Sequence, residues 1–86
     1  MSQNEAESIN WFQKAAEQGM VEAENMLGNI YSSGHGVPQN DAEAVNWYRK
    51  AAEKGFAASQ FNLGVMYAQG KGVSQDENEA IKWFQQ

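Results

Sequence analysis

The chain has 86 residues, a formal charge of −5, no cysteine and a single proline. Because 42% of the residues are hydrophobic and 12% are aromatic, the composition fits one small folded domain and excludes a disordered chain. The lack of cysteine excludes disulfide frameworks, zinc fingers and cysteine nucleophiles. An acidic chain without runs of lysine or arginine is expected to have low affinity for nucleic acid and for anionic membranes. A basic protein or peptide is therefore the better partner.

The N-terminal segment gives no sign of targeting. Residues 1–20 lack the apolar stretch of a signal peptide, and no segment approaches the roughly 18 apolar residues of a membrane span. Together with the absence of cysteine, this favours a cytoplasmic protein.

A register of 36 residues runs through the whole sequence. Trp11, Trp47 and Trp83 are spaced 36 residues apart, and all eight glycines pair at the same offset. When residues 1–50 are laid on residues 37–86, roughly 21 positions are identical without a gap. Periods of this length are typical of stacked helical units.

In chain order, the repeat predicts five helices of two alternating kinds, which we call A and B. The predicted helices are B over about 5–18, A over about 21–33, B over about 41–54, A over about 57–69 and B over about 77–86. Each B helix is preceded by a capping residue with a glutamate three positions later. These pairs are Asn4 with Glu7, Asn40 with Glu43, and Asp76 with Glu79.

Glycines mark the helix ends and one unusual position inside each A helix. A left-handed cap is predicted at Gly19, Gly34, Gly55 and Gly70, and a positive φ at Gly36 and Gly72 in the A–B turns. Gly28 and Gly64 lie within the A helices, where glycine costs about 1 kcal/mol relative to alanine. We expect a close approach of helix B there, through the small residues Ala44 and Ala80.

These motifs resemble the Sel-1-like repeat, a longer relative of the tetratricopeptide repeat. The matching residues are Leu27-Gly28 with Tyr31, Gly34-His35-Gly36-Val37, Trp47, and Ala51-Ala52 with Gly55, and in the second unit Leu63-Gly64, Tyr67, Gly70-Lys71-Gly72-Val73 and Trp83. The resemblance implies an all-α fold, a right-handed α-solenoid of antiparallel helix pairs. It implies one helical-repeat domain over 1–86, with a half repeat at 1–20, a full repeat at 21–56 and a nearly full repeat at 57–86.

No catalytic or metal-binding constellation is found in the sequence, so we expect neither an enzyme nor a cofactor. Gly34-His35-Gly36 lacks the strand and the flanking residues of a phosphate loop, and His35 has no companions at metal-ligand spacing. The capping glutamates are explained as caps, and the other carboxylates are expected on solvated faces. Some secreted, cysteine-rich Sel-1-like proteins are associated with β-lactam hydrolysis, but no serine here is followed three places on by lysine. A β-lactam hydrolase is therefore the third and least favoured interpretation.

The resemblance implies binding of a partner peptide or helix in a concave groove lined by the A helices. Carried over by register, the groove positions are Glu22, Asn25, Asn29, Ser32 and Ser33 in the first A helix, and Ala58, Phe61, Val65, Ala68 and Gln69 in the second. An equal alternative for Phe61 is simple packing between helices.

Self-assembly is the competing interpretation, because the sequence begins and ends within B helices. The apolar residues concerned are Ile9, Trp11, Phe12 and Ala15 on the first helix, and Ala80, Ile81, Trp83 and Phe84 on the last. We expect them to be exposed in an excised fragment, a truncated gene product or an assembling protomer, and a homodimer closed about a two-fold axis is favoured over an open array.

Overall fold

The computed structural model describes residues 3–85, with side chains for residues 7–85, and this part of the chain forms five helices and no strand. The helices are α1 (Gln3–Glu17), α2 (Val21–Ser33), α3 (Asp41–Glu53), α4 (Ala57–Gln69) and α5 (Glu77–Phe84). Each helix packs against the next, which gives an elongated stack of 40 × 23 × 14 Å. The predicted all-α solenoid is confirmed.

The two A helices, α2 and α4, begin and end where the sequence predicts. Each ends at a glycine in the left-handed region, Gly34 with φ of 72° and Gly70 with φ of 67°. Their N–H groups donate to the carbonyl oxygens of Ile30 and Met66, so the last turn of each helix is satisfied by its own cap.

The B helices α3 and α5 begin at the predicted caps. The side chain of Asn40 accepts a hydrogen bond from the Glu43 N–H at 3.1 Å, and that of Asp76 accepts one from the Glu79 N–H at 3.0 Å. The predicted start of α1 is wrong by two residues. This helix already includes Gln3, so Asn4 lies inside it and does not precede it.

The A–B turns have the same geometry in both repeats. Gly36 and Gly72 have φ of 89° and 72°, as predicted. In the first turn the Gln39 amide donates to the Ser32 carbonyl oxygen at 3.0 Å, and the Asn40 N–H donates to that of Tyr31 at 2.9 Å. The second turn repeats both bonds, from Gln75 to Ala68 at 2.9 Å and from Asp76 to Tyr67 at 2.9 Å.

The core of the described residues consists of two apolar clusters. The first lies between α1 and α2 and comprises Ala15, Ala16, Ala23 and Leu27, with Phe12, Ile30 and Trp47 packed against it. The second comprises Ala44, Val45, Tyr48, Ala52, Leu63 and Met66, with Tyr31, Tyr67, Val73 and Trp83 against it. The side chains of Trp47, Tyr31 and Tyr67 pack against these clusters, although each is only partly buried.

The expected close approach of a B helix to the glycines inside the A helices is confirmed, but the nearest atoms belong to aromatic rings and not to Ala44 and Ala80. A Cβ built at Gly28 would lie 2.4 Å from the Tyr48 ring, and one built at Gly64 would lie 2.5 Å from the Phe84 ring. The periodicity of a B helix predicts which of its faces meets the A helix. The contact with the glycine is made by the aromatic residue one turn after the alanine, Tyr48 after Ala44 and Phe84 after Ala80.

One carboxylate is buried, contrary to the expectation of solvated faces. Glu24 is 3% exposed, and its Oε2 accepts a hydrogen bond from Lys54 Nζ at 2.7 Å. Lys54 also donates to the Gly19 carbonyl oxygen at 3.2 Å. The end of α3 is therefore attached to α2 and to the turn that precedes it.

Candidate protein-binding surfaces

An open apolar hollow of about 400 Å³, the α1–α2 hollow, lies between the first two helices. Its lining residues are Ser8, Ile9, Phe12, Met26, Asn29, Ile30, Ser33 and His35. Phe12 comes from the predicted self-association set, while Asn29 and Ser33 come from the predicted groove set. The structure therefore joins two groups of residues that the sequence analysis kept apart.

A second hollow of about 410 Å³, the α4–α5 hollow, lies at the other end of the stack. It is lined by Ala57, Gln60, Phe61, Trp83 and Phe84. The rings of Phe61 and Phe84 are tilted, with centroids 5.6 Å apart, and Phe61 remains 59% exposed. Phe61 therefore packs against α5 and also presents an exposed aromatic surface, and its role in partner binding stays a prediction.

Inside the stack, the surfaces that correspond to the two hollows are covered by helices of the chain itself. By the 36-residue register, Phe12 corresponds to Tyr48, and Ser8 corresponds to Ala44. Tyr48 is covered by Gly28 of α2, and Tyr31 of the same helix packs against the cluster that contains Ala44. The α1–α2 hollow is thus the position that an A helix occupies elsewhere in the molecule.

The seam between α2 and α4 is polar, unlike the hollows at either end. Asn25 Oδ1 accepts hydrogen bonds from Ser59 Oγ at 2.7 Å and from Asn62 Nδ2 at 3.2 Å. By register, Asn62 corresponds to Met26 in the α1–α2 hollow, and Asn25 corresponds to Phe61 in the α4–α5 hollow. The residues that form a polar bond inside the stack are therefore replaced by apolar ones at its two outer edges.

The remaining residues of the predicted groove line neither hollow. Glu22, Ala58 and Gln69 are exposed, and Ser32, Val65 and Ala68 are half-buried. Asn29 Oδ1 accepts a hydrogen bond from the Tyr48 hydroxyl at 2.6 Å, so this groove residue also holds α3 against α2.

The apolar residues expected to be exposed at the two ends differ in their burial. Trp11, Ile81 and Phe84 are 60%, 50% and 45% exposed. Ile9 is 9% exposed, and Ala15 and Ala80 are buried as well, so the expectation of exposure is wrong for these three. Ala15 is covered because it packs with Ala23 and Leu27 of α2, whereas Trp11 lies beside a smaller hollow with Met20.

The fold shifts the pKa of the Tyr48 hydroxyl. Burial raises the pKa of its hydroxyl above the usual value of about 10, and the charge of Asp41 raises it further, while a hydrogen bond with Ser32 opposes the change. The neutral phenol is therefore the form that the fold favours, in keeping with its role as donor to Asn29.

Sequence reasoning did not identify three of the residues that line the hollows, namely Met26, Ile30 and Gln60. The available signal was the departure from the repeat, since Met26 stands where the second unit has Asn62.

Within residues 7–85, the structure shows no group of three or more His, Asp or Glu side chains placed to hold a metal ion. None of the helices it describes is long and apolar enough to cross a bilayer.

The model of the Sel1 repeat matches residues 1–20, 21–56 and 57–86. The chain belongs to the Sel1 repeat family. Sel1 repeat proteins are generally protein-interaction scaffolds and are typically not enzymes. A search of curated protein sequences found no significant match.

Solved structures of Sel1 repeat proteins share this architecture. A protective antigen of uropathogenic Escherichia coli with an SLR fold is 55% identical with a TM-score of 0.87, over 88% of this chain and 16% of that protein. A Sel1 repeat protein from Oxalobacter formigenes is 45% identical with a TM-score of 0.88, over 90% of this chain and 59% of that one. Helicobacter pylori cysteine-rich protein B is 27% identical with a TM-score of 0.90, over 94% and 61%. The chain thus spans less than two thirds of each of these relatives.

Proposed function

We propose that this Sel1 repeat chain is a protein-interaction module that binds a partner polypeptide along the exposed side of its A helices, anchored in the α1–α2 hollow. The observation that carries the proposal is the composition of that hollow. Ile9, Phe12, Met26 and Ile30 supply apolar surface, and Asn29 and Ser33 supply polar groups beside it. An apolar concavity with a few polar groups is the usual form of a binding site.

The electrostatics of the chain favour a basic partner. The formal charge is −5, and Glu22, one of the predicted groove positions on α2, is exposed. An acidic surface attracts a basic segment and speeds its association, while the apolar hollow contributes most of the affinity.

Two exposed methionines provide a matched test of the hollow. Met26 lies in the α1–α2 hollow and is 39% exposed, while Met20 lies outside it and is 45% exposed. We expect Met26→Glu to abolish the capture of partner proteins and Met20→Glu to retain it, because only the first change places a charge in the hollow. Equal capture by both variants would remove the hollow from the proposal.

The groove lined by the A helices is tested separately. Phe61→Ala removes an exposed ring from α4 without touching the hydrogen bonds of Asn25. Reduced capture by this variant supports binding along both A helices. Unchanged capture would confine the binding surface to the region of the α1–α2 hollow.

A second candidate function is self-assembly, which the exposure of Trp11, Ile81 and Phe84 favours. Burial of apolar surface contributes about 25 cal/mol per Å², so pairing of like ends in a closed dimer would offset part of the cost of association. Light scattering over micromolar to submillimolar concentrations tests it. A strict monomer across that range would remove this candidate and leave the interaction module unaffected.

A further inference from the structure

We propose that the exposed side of the A helices binds the main chain of an extended, basic segment of the partner through the side-chain amides of Asn25, Asn29 and Asn62, which we call the asparagine row. The proposal rests on the proposed function and specifies the conformation of the bound polypeptide. It follows from the hydrogen bonds that hold each amide and from the spacing of Asn25 and Asn29 along α2.

The amide oxygens of Asn25 and Asn29 are engaged by donors from inside the stack. Asn25 Oδ1 accepts hydrogen bonds from the fully buried Ser59 hydroxyl at 2.7 Å and from Asn62 Nδ2 at 3.2 Å. Asn29 Oδ1 accepts one from the buried Tyr48 hydroxyl at 2.6 Å. Because an amide side chain has one oxygen and one NH2 group, these bonds leave the NH2 group of each asparagine for an outside acceptor.

Both NH2 groups are accessible to a ligand. In the part of the chain that the structure describes, neither of them donates to another residue. Asn29 is exposed, and Asn25 is half-buried with its nitrogen open to solvent. Val65, the counterpart of Asn29 in α4, stays partly exposed although α2 is the neighbouring A helix, so a further A helix beside α2 would also leave this position accessible.

The spacing of the two donors matches the main chain of an extended polypeptide. Residues four apart on a helix lie on one face, about 6 Å apart along its axis. In an extended chain every second carbonyl group points to the same side, at intervals of about 6.7 Å. The NH2 groups of Asn25 and Asn29 therefore fit two such carbonyl oxygens, whereas most carbonyl groups of a helix are already bonded within it.

Asn62 supplies the complementary acceptor. Its Nδ2 donates to Asn25, which leaves its own Oδ1 for an outside donor next to the Asn25 amide. In an extended chain, each residue directs its N–H and its C=O group to the same edge. Asn25 and Asn62 together therefore offer one donor and one acceptor to a single residue of the bound segment.

The asparagine row is a property of α2 and is not required by the repeat. In α4, Phe61 and Val65 stand at the positions of Asn25 and Asn29. The second unit thus forms the same helix without either amide, so the fold alone does not account for the two asparagines. The formal charge of −5 adds a preference for a basic segment.

NMR of the side-chain amide groups of the whole chain, titrated with two synthetic basic peptides, tests the proposal. Both peptides have about 16 residues and the same number of lysines, but one is rich in threonine and extended, and the other is rich in alanine and helical. We expect the NH2 signals of Asn25 and Asn29 to shift with the threonine-rich peptide and to shift little with the helical one.

Two variants separate the donors of the asparagine row from electrostatic attraction. Asn25→Asp and Asn29→Asp keep the oxygen that accepts the inward bonds and replace only the NH2 group, while the added negative charge attracts a basic peptide. We expect each to bind the threonine-rich peptide about five-fold more weakly, as for the loss of one hydrogen bond. Asn46→Asp adds the same charge at an exposed position on α3, outside the row, and should bind at least as well as the wild type.

Three results would overturn the proposal. They are equal shifts with the two peptides, unchanged or tighter binding by the variants of Asn25 and Asn29, and shifts confined to signals outside the asparagine row. If any of these occurs while partner capture still depends on Met26, the asparagine row is wrong and the proposed function stands. If capture is also independent of Met26, both fail.

Discussion

The ring of Tyr48 lies so close to Gly28 that a Cβ at that glycine would be 2.4 Å from both Cδ1 and Cε1 of the ring. Tyr48 is 4% exposed and belongs to the core, so the ring has no room to move away. We expect Gly28→Ala to destabilise the fold by about 1–3 kcal/mol through overpacking, even though alanine is the better helix former.

Gly64 is the matched control for this prediction. A Cβ there would lie 2.5 Å from the Phe84 ring, but Phe84 is 45% exposed near the end of α5 and has room to turn outward. Gly64→Ala should therefore cost less than Gly28→Ala in urea unfolding. Equal losses for the two variants would contradict the assignment of the cost to the buried ring.

Replacement of Tyr48 by phenylalanine should change how stability depends on pH. The variant loses the 2.6 Å hydrogen bond from the hydroxyl to Asn29, at a cost of about 1 kcal/mol at neutral pH. The raised pKa of Tyr48 means that its neutral form stabilises the fold fully below about pH 10, and that this contribution is lost as the pH rises through the higher pKa of the folded state.

The difference between wild type and Tyr48→Phe should accordingly shrink above pH 10. Unfolding in urea at a series of pH values measures it, and the comparison cancels the titration of other groups. A difference that stays constant to high pH would show that the Tyr48 hydroxyl is not the group responsible.

Lys54 should matter more to stability than other lysines, because it is the partner of the buried Glu24. Lys54→Met leaves Glu24 without a cation, and we expect a loss of about 1–3 kcal/mol in the free energy of unfolding. Lys50→Met is the control, since Lys50 lies over the Trp47 ring at the surface and pairs with no buried carboxylate.

A second change should recover the loss. Glutamine occupies the position of Glu24 in the second unit, as Gln60, and donates there to the Ala52 carbonyl oxygen at 3.2 Å. Glu24→Gln in the Lys54→Met background should therefore restore most of the stability, because a neutral amide is cheaper to bury than an unpaired carboxylate. If the double variant is no more stable than Lys54→Met, the loss comes from the hydrogen bond between Lys54 and the Gly19 carbonyl oxygen alone.

Two glycines with positive φ should respond differently to alanine. Gly55 has φ of 89° with no atom near the added Cβ, whereas a Cβ at Gly72 would lie 2.4 Å from the Asp41 carbonyl oxygen. Gly55→Ala should cost only the left-handed strain of about 1–2 kcal/mol. Gly72→Ala should cost clearly more, and thermal unfolding of the two variants gives the comparison.

The bounds of the helices could be predicted well from the sequence because a few adjacent residues mark most helix ends. Gly34 and Gly70 end the A helices by left-handed caps, and Asn40 and Asp76 begin B helices by side-chain acceptors, which are properties of a few adjacent residues. The beginning of α1 was misplaced because Asn4 is also a tolerable helical residue, and nothing in the sequence forces the helix to start after it.

Contacts between helices were harder to predict. The Tyr48 ring over Gly28 depends on the crossing angle of two helices, and the burial of Glu24 depends on a lysine 30 residues away. The two hollows were missed as units because the sequence analysis assigned groove and end residues by analogy. The useful signal was a departure from the repeat, such as Met26 in place of Asn62.

The A–B turns separate the residues that hold the backbone from the residue displayed beside the hollow. Each turn is closed by main-chain hydrogen bonds and by one glutamine amide, from Gln39 in the first unit and Gln75 in the second. The N–H of His35 donates to the Ile30 carbonyl oxygen at 3.3 Å, and that of Lys71 donates to the Met66 carbonyl oxygen at 3.0 Å. The turn therefore has the same form with histidine or lysine at this position. Because His35 lines the α1–α2 hollow, a change of residue at this position alters the charge beside the hollow while the backbone of the turn keeps its form.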